Sequence, residues 1–557
     1  MKKYLTPLNI VFAAEIVVVI LASLGLIPRE AVLVWTGLAI FYMIFSPVED
    51  SLWLIVASIP LFVALPVFDN FDTMANWRIL IAVLFLCLFF KKGISLSLVK
   101  DEHGRWRIRE NVKHYLIEYL SWAFLVVAAL SILVADYKIL AIKKLLFLIN
   151  IFLLYLIIRN LVKNKEAIIK IWQAAAVGGV TVIAVALIQF MAALFVPLFS
   201  LWQFWSDKVI AVFYGQNLSY LLSYSNTWFA YYAGNPPTPR LFSVFPDSHS
   251  FAMFCIILVP IFLALAMLAQ RKIKKVFYPA PQPAPLRGAR PGNATGVNPW
   301  MNRLKPEGQY PKGVSLWCGV YWVLVGLALL GIALSGSRGA WLSVLPAATV
   351  LIYIYGKKLE SVLSKKALAA FFIFGFLFLV SSLYPPLLYK FQSWQTGKAS
   401  TSTFAFFERA KSISDLEEAS NKGRLEIWRA TLKSIAQKPV LGVGLGNYVK
   451  ILEEDISAAK KGASAHNLYL DLASEIGIPG VLFLIGMFAD ILYTSWLVFR
   501  RAKEPHFKFF GLLFGLYFIW ILGYSFFDVV LLNDKVLLFF MVSAATLYSI
   551  RSLDLKR

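Results

Sequence analysis

The stretch GIPGVLFLIGMFADILYTSWLVF, residues 477–499, decides what kind of protein this chain forms. Its apolar residues are continuous rather than alternating, which predicts a helix and excludes a strand of a barrel. A run of this length can cross the hydrocarbon core of a bilayer, where the backbone must satisfy its own hydrogen bonds. Because comparable runs recur along the chain, the sequence predicts an all-α, polytopic helical membrane protein.

The composition agrees with a membrane protein. Of 557 residues, 59% are hydrophobic and 15% are charged, whereas soluble proteins have about a quarter of their residues charged. The net charge of +23 would suggest nucleic-acid binding in a soluble protein, but in a membrane protein Lys and Arg collect in cytoplasmic loops. Cys87, Cys255 and Cys318 have unrelated spacings and predict neither disulfides nor a metal site. The basic, apolar N-terminus is interpreted as a first retained helix.

We predict about 12–14 transmembrane helices and place both termini in the cytoplasm, because the basic loops alternate with the spans and fall on one side. Three units follow: transmembrane helices over 1–385, a large periplasmic loop with amphipathic helices over 386–476, and transmembrane helices over 477–557. The Pro/Gly-rich cytoplasmic insert 271–313 is predicted to be disordered. The candidate spans are 8–27, 31–46, 52–68, 78–90, 115–135, 144–160, 171–199, 250–270, 314–334, 340–356, 367–385, 477–499, 508–527 and 535–551.

Three arginines lie on the predicted outer face, at the mouths of spans or in the long loop. Arg338, in ALSGSRGAWLSVL, lies in a Ser/Gly turn between two apolar runs, and a cation at that depth usually faces the bundle interior or a cavity. Arg424 begins a stretch with helical apolar spacing that we expect to lie on the membrane surface, where its charge could simply be solvated. Arg240, in PPTPRLFSVFPDSHSFAMF, could be an interfacial anchor.

Two of the five histidines, His249 and His466, are on the outer face. A reaction there that needs a group titrating near neutral pH must use one of them. His249 lies beside Asp247 and could instead be a residue at a helix entry. His466 lies in ASAHNLYLDLASEIGIPG (463–480), where Asp471 and Glu475 could orient it or pair with an arginine.

Arginines and a histidine facing outward at a bilayer suit a lipid-linked diphosphate. Guanidinium groups bind phosphate oxygens in bidentate fashion and can stabilise a diphosphate leaving group as its charge develops. A neutral histidine can take the proton from an incoming sugar hydroxyl. No acidic cluster suited to Mg²⁺ or Mn²⁺ stands out, so the expected route uses neither a metal nor another cofactor.

The motifs that carry these residues resemble the O-antigen ligase and O-antigen polymerase superfamily of bacterial membrane glycosyltransferases. The matching segments are SGSRGAWLS (335–343), GRLEIWRATLKSIAQKPVLGVGLGNY (423–448) and AHNLYLDLASEIGIPGVLFL (465–484). RLFSVFPDSHSFAMF (240–254) is similar to a degenerate form of the family's upstream Arg-x-x-Gly-x-x-x-x-Pro-Asn segment, with Ser243 for the glycine and Asp247 for the asparagine. The resemblance is specific over roughly 330–490.

The resemblance implies a multi-helix fold like that of the C-type glycosyltransferases and a site facing the periplasm from the bacterial inner membrane. It implies transfer of a glycan from undecaprenyl diphosphate to an acceptor, without a bound metal and with inversion at the anomeric centre. Arg338 and Arg424, with Arg240 as the third, would bind the diphosphate, and His466 would activate the acceptor hydroxyl. The expected partners are the lipid-linked donor, a glycan, lipid or protein acceptor and membrane lipids, with no nucleic acid.

Within the superfamily three acceptors stay open. A ligase uses lipid A-core, a polymerase another lipid-linked repeat, and a protein O-oligosaccharyltransferase a Ser or Thr hydroxyl. We favour the ligase, because the His466 region and one dominant late outer loop fit it. A polysaccharide-lipid transporter is disfavoured because the charges gather at one face, with only Glu15, Glu118 and Asp490 notable inside spans.

Overall fold

The computed structural model describes residues 6–67, 74–94, 98–100, 106–108, 112–223, 227–232, 235–277, 312–355, 419–455 and 464–555. The expected span 367–385, residues 278–311 of the cytoplasmic insert and residues 386–418 of the long outer loop lie outside these ranges. Most of the described chain is helical. Two short antiparallel hairpins pair Leu98–Lys100 with Trp106–Ile108 and Phe229–Tyr232 with Asn235–Pro239.

The α-helices differ widely in length, from one turn to 34 residues. Short 3₁₀ turns at Ile59–Leu61, Ser131–Val134 and Val530–Leu532 and a π-helical turn at Trp205–Ile210 interrupt or end them. The helices are Pro7–Ser23, Ala31–Phe45, Val48–Ser58, Trp77–Lys92, Val112–Leu130, Lys138–Leu161, Lys165–Phe195, Leu198–Phe204, Ala211–Tyr214, Gln216–Ser223, Ser248–Phe277, Lys312–Leu334, Arg338–Leu342, Val344–Tyr355, Ala419–Gln437, Val449–Asp455, Leu468–Arg501, Pro505–Tyr524 and Asp534–Asp554.

Within the described ranges, 8 helices are long and apolar enough to cross a membrane. Three further apolar helices have 10–17 residues: Pro7–Ser23, Ala31–Phe45 and Gly339–Ile354. The prediction of an all-α, polytopic membrane protein is therefore confirmed. The eight long candidates are Tyr115–Val134, Lys138–Leu161, Lys165–Phe195, Ser248–Gln270, Leu316–Leu334, Leu468–Arg501, Pro505–Tyr524 and Asp534–Asp554.

The expected span 52–68 is wrong. The helix that contains its start, Val48–Ser58, has 11 residues and runs into a 3₁₀ turn that ends at Leu61. Pro60 lacks the N–H that a continuing α-helix would need for its hydrogen bond. Eleven residues rise only about 16 Å, roughly half of the hydrocarbon thickness. The run is apolar because it is buried against other helices, with residues 54–64 almost wholly inaccessible.

Charges inside the spans have partners on neighbouring helices. Glu118 lies 3.8 Å from the Arg159 Nε. Asp490 accepts a hydrogen bond from the Tyr548 hydroxyl (2.5 Å) and lies 3.9 Å from Arg551. Pairing removes most of the cost of placing a charge at this depth, so these residues join helices that are distant in sequence.

The segments that carry the candidate residues meet at one end of the helical bundle. The Leu468 N–H donates to the Ser525 carbonyl (2.8 Å), and the Leu241 N–H donates to the Leu334 carbonyl (3.3 Å). These bonds join ends of four long helices and the turns between them. We name this region the site end; it comprises residues 131–137, 240–249, 335–338, 438–448, 464–468 and 524–534.

Candidate functional site

Arg424 and His466 are brought together by the packing of the Ala419–Gln437 helix. Trp428 lies one helical turn after Arg424, so both side chains are on the same face. The Trp428 indole N–H donates to the Ala465 carbonyl (2.9 Å), the residue directly before His466. The same helix face buries Ile427. The Trp428 anchor on the same helix therefore holds the Arg424 segment beside the histidine.

Leu425 and Leu432, two apolar residues of the helical spacing in this stretch, are 40% and 55% exposed. That the helix lies on the membrane surface stays a prediction. The packed side is built from smaller side chains, which contact the segments around Val449–Asp455 and the turn before Leu468. Together they form a second hydrophobic cluster: Ile427, Ala430, Val443, Tyr448, Ile451, Leu452 and Ala465.

His466 adopts a left-handed backbone conformation, with φ of 47°. Few residues other than glycine and asparagine adopt it without cost, and where it occurs it often marks a functional position. The turn is fixed from both sides: the Asp471 carboxylate accepts the Ala465 N–H (3.0 Å), and Asn467 caps the next helix by accepting the N–H groups of Tyr469 and Leu470 (3.0 and 3.1 Å). Asp471 thus positions the backbone that carries His466.

The electrostatics of this turn keep the His466 imidazole neutral. Burial is the larger cause, and the nearby Arg424 guanidinium adds to it, so that the pKa of His466 falls to about 4. Both effects disfavour a second positive charge. The His466 Nδ1 is buried and has no hydrogen-bond partner among the described residues. A neutral imidazole with an unused buried nitrogen can accept a proton from a bound hydroxyl.

Glu475 pairs with neither His466 nor an arginine. Its carboxylate accepts a hydrogen bond from the Lys144 ammonium group at 2.5 Å. Glu475 is almost fully buried, and Lys144 comes from the Lys138–Leu161 helix. The sequence left open whether Asp471 and Glu475 orient His466 or pair with an arginine. Asp471 orients the backbone before His466 through its hydrogen bond to Ala465. Among the described residues, Glu475 does neither and pairs with Lys144.

The Leu468–Arg501 helix breaks at Gly477, where φ is 77° and ψ is 175°. The break leaves carbonyls without helical partners, and a glycine loop formed by residues 438–448 satisfies them. The Val443 N–H donates to the Ser474 carbonyl (2.8 Å), and the Gly444 N–H donates to the Glu475 carbonyl (3.0 Å). The GIPG sequence at 477–480 is typical of a turn, but it does not indicate which segment packs against that turn.

The approach of the glycine loop to the break leaves no room for side chains. A Cβ on Gly442 would lie 2.3 Å from the Ser474 carbonyl oxygen, and one on Gly477 would lie 2.1 Å from the Val440 carbonyl oxygen. The matching motifs at 423–448 and 465–484 are thereby joined through their backbones. This contact fixes the short helix 468–476, whose start carries His466.

Arg338 begins the short helix Arg338–Leu342, which is capped by Ser337. The Ser337 hydroxyl lies 2.6 Å from the Tyr524 hydroxyl and 3.1 Å from the His249 Nδ1. His249 in turn lies 3.7 Å from the Asp528 carboxylate. Burial raises the pKa of Asp528, and the Arg424 guanidinium opposes this rise. His249 therefore links Ser337, directly before Arg338, to Asp528, a carboxylate that the Arg424 guanidinium influences.

Arg240 lies at the site end through its backbone. Its N–H donates to the Trp228 carbonyl (2.9 Å), and the next residue, Leu241, is bonded to Leu334 at the end of the helix that leads to Arg338. The Arg240 side chain is half-buried. Arg240, Arg338 and His466 are thus at the site end, and the helix of Arg424 is bonded to it through Trp428 and Ala465. Contacts of these four residues with a substrate stay a prediction.

Sequence reasoning missed Tyr524, Asp528 and Lys144. Tyr524 and Asp528 lie in GYSFFDVV, and the apolar run hid the tyrosine inside an expected span. A phenol and a carboxylate at the outer end of an apolar run were the available signal. For Lys144 the signal was a cation at the expected outer end of a span. Asp247, noted only as a neighbour of His249, caps the Ser248–Phe277 helix by accepting the Ser250 N–H (2.7 Å).

The described residues hold no group of three or more His, Cys, Asp and Glu side chains that could bind a metal ion. Burial raises the pKa of Asp247 to about 6, with a smaller contribution from Asp528. Among the described residues, the site end offers arginines, two histidines, carboxylates and hydroxyl groups.

Comparison with known proteins agrees with the motifs. Residues 323–485 match the family model described as O-antigen ligase. The chain is also 30% identical over 166 residues to a ComP-specific O-oligosaccharyltransferase of Acinetobacter baylyi, a match that covers 29% of this chain and 26% of that protein. The family match contains Arg338, Arg424 and His466. The predicted resemblance to the O-antigen ligase superfamily is therefore confirmed over residues 323–485.

Proposed function

We propose that the protein transfers a glycan from a lipid-linked diphosphate, expected to be undecaprenyl diphosphate, to the hydroxyl of an acceptor such as lipid A-core. The observation that carries this proposal is the hydrogen bond from Trp428 to Ala465 (2.9 Å), which holds the Arg424 helix against the turn of the neutral, half-buried His466 within the O-antigen ligase region. The site would face the periplasm from the inner membrane of a bacterium.

In the proposed reaction the acceptor oxygen bonds to the anomeric carbon as the bond from that carbon to the diphosphate oxygen breaks. His466 takes the proton of the acceptor hydroxyl, and the diphosphate leaves with the bonding electron pair. Arg338 and Arg424, with Arg240 as the third cation, stabilise the charge that develops on the diphosphate. Charge-assisted bidentate hydrogen bonds give arginine an advantage over lysine in this role.

Transfer to protein is the second candidate. Its support is the similarity to a protein named as a ComP-specific O-oligosaccharyltransferase, which spans about a quarter of that relative's length. Polymerisation of lipid-linked repeats uses the same donor chemistry and is the remaining alternative. The three differ in the acceptor alone.

One experiment separates these functions. Purified protein is given a labelled undecaprenyl-diphosphate glycan with lipid A-core, a second lipid-linked glycan or a Ser/Thr-containing protein, and the products are identified by mass. Transfer to lipid A-core supports the ligase; longer lipid-linked chains support the polymerase. A glycan on protein supports the oligosaccharyltransferase. No product with any of the three, from folded protein, contradicts the proposal.

Arg338→Ala is expected to weaken binding of the lipid diphosphate by about 10- to 100-fold, because charged hydrogen bonds contribute about 1.5–3 kcal/mol. Arg338→Lys should restore part of this affinity, since lysine keeps the charge and loses the planar fork. Direct binding of undecaprenyl diphosphate measures the effect. Wild-type affinity in Arg338→Ala would remove Arg338 from the diphosphate site.

Arg424→Ala is expected to move the acid limb of the pH–rate profile to higher pH. The wild-type limb should lie near the His466 pKa of about 4, since His466 must be unprotonated to act as base. Removing the guanidinium removes one cause of the lowered pKa, so protonation of His466 begins at higher pH; burial keeps the pKa below 6.5. The kcat/KM profile measures this.

Arg429→Ala is the matched control for Arg424→Ala. Arg429 is an exposed arginine on the same helix, and its removal changes the net charge equally. Its acid limb should coincide with that of the wild type. If the acid limb moved equally in Arg424→Ala and Arg429→Ala, the cause would be the change in net charge rather than the proximity of Arg424 to His466.

A further inference from the structure

Buried Tyr524 and Ser337 and half-buried His249 come from three separate segments and form a triangle of polar contacts beside Arg338, in which two hydrogen bonds can form at a time. The Tyr524 hydroxyl lies 2.5 Å from the His249 Nδ1 and 2.6 Å from the Ser337 hydroxyl, and the Ser337 hydroxyl lies 3.1 Å from the His249 Nδ1. Ser337 is 0% exposed and Tyr524 is 1% exposed. Such groups would be costly to leave without partners, so the triangle constrains how the three segments meet.

The triangle is joined directly to the helix that begins with Arg338. The Ser337 hydroxyl accepts the Ala340 N–H (3.4 Å) and so caps this helix. The Trp520 indole N–H donates to the Ala340 carbonyl (2.6 Å) from the helix that ends at Tyr524. The helix also rests on the Tyr524 ring, because a Cβ on Gly339 would lie 2.8 Å from the Tyr524 Cε2.

We propose that Tyr524, together with His249 and Ser337, is a positioning residue that fixes the backbone of Arg338 in the diphosphate site. This inference rests on the proposed function, in which Arg338 binds the donor. A short helix between two membrane helices has little intrinsic stability. Its position is set by the contacts of Ser337, Gly339 and Ala340 with one face of the Pro505–Tyr524 helix, and Tyr524 makes two of them.

The positioning role follows from how binding free energy depends on orientation. A guanidinium that forms a bidentate contact with phosphate oxygens loses much of its advantage if its backbone moves by an ångström. A connected set of buried hydrogen bonds favours one arrangement of its members. The Tyr524 hydroxyl therefore acts on donor affinity through Arg338 without contact with the reacting atoms.

Tyr524→Phe tests this inference, since it removes one hydroxyl and keeps the ring under Gly339. The expected result is a 3- to 10-fold weaker Kd for undecaprenyl diphosphate, about the net effect of one hydrogen bond. The KM for the acceptor should stay at the wild-type value, whereas a rearrangement of the whole site end would change both constants. Tyr517→Phe is the control: Tyr517 is on the same helix, and its hydroxyl makes no hydrogen bond within the described part of the chain.

A double-mutant cycle distinguishes positioning from an independent effect. If Tyr524 acts through Arg338, then Tyr524→Phe should change the Kd by less than 2-fold in the Arg338→Ala background. An equal loss in both backgrounds overturns the inference. Ser337→Ala removes the same link from the other side and should give a similar loss that is not additive with Tyr524→Phe, which keeps the test valid if either variant folds poorly.

The outcomes separate the inference from the proposed function. A normal Kd in Arg338→Ala would overturn both the diphosphate role of Arg338 and its positioning. A weakened Kd in Arg338→Ala with a wild-type Kd in Tyr524→Phe and Ser337→Ala would overturn the inference alone. A weakened Kd in all three, with the non-additivity described, supports it.

Discussion

His466→Asn should fold normally and lose glycan transfer by roughly 10²–10⁴-fold, the usual contribution of a general base. Asparagine is the sharpest replacement because His466 has a φ of 47°, a conformation that asparagine tolerates better than alanine. The amide cannot take a proton from the acceptor hydroxyl. Transfer is measured with the labelled lipid-diphosphate glycan and the acceptor identified for the wild type.

His466→Ala is the companion variant and should lose transfer to the same extent. It adds the backbone strain of a left-handed alanine, about 1–2 kcal/mol, so its melting temperature should be lower than that of His466→Asn. Donor affinity should stay within a few-fold of wild type in both variants, because the arginines are intact. Wild-type transfer by His466→Asn would show that another group removes the proton, and His249 would be the next candidate.

Gly477→Ala should lower the free energy of unfolding by about 3–5 kcal/mol, a large effect for one methyl group. The φ of 77° and ψ of 175° are adopted almost only by glycine. The added Cβ would lie 2.1 Å from the Val440 carbonyl oxygen, and this backbone atom cannot rotate away. The break must then open, which removes the partners of the Ser474 and Glu475 carbonyls. A melting curve of the detergent-solubilised protein measures the loss.

Gly326→Ala is the matched control for Gly477→Ala. Gly326 lies in the Lys312–Leu334 helix, and a Cβ there meets nothing within 4 Å. Alanine is the better helix former, so the control should melt at or slightly above the wild-type temperature. If Gly477→Ala had the same melting temperature as Gly326→Ala, the glycine loop would not stabilise the helix break at Gly477. Glycan transfer should then also be unchanged.

Local pattern predicted a good part of the site. Arg338, Arg424 and His466 stood out because cations at the outer ends of apolar runs need a reason, and the turn at Gly477 followed from the GIPG sequence. Apolar runs were less informative about their surroundings. Residues 52–68 read as a span, but much of the run is apolar because it faces other helices, and hydropathy does not distinguish protein from lipid.

The partners of the polar groups could not be predicted. Glu475 pairs with Lys144, which lies 331 positions away. Tyr524 joins His249 and Ser337, separated from it by 275 and 187 positions. The sequence around a polar residue can indicate that the residue is buried and needs a hydrogen-bond partner. It does not indicate which helix supplies that partner.

The sequence by itself determined the membrane class, the helical fold and the chemistry offered at one end of the bundle, because hydropathy, charge and turn residues act locally. Only the tertiary structure decided how those groups meet. It placed Arg424 beside His466 through Trp428 and joined the glycine loop to the break at Gly477. The physical reason is that burial and hydrogen bonding between distant segments depend on which helix faces pack together, a property of the whole bundle rather than of any single stretch.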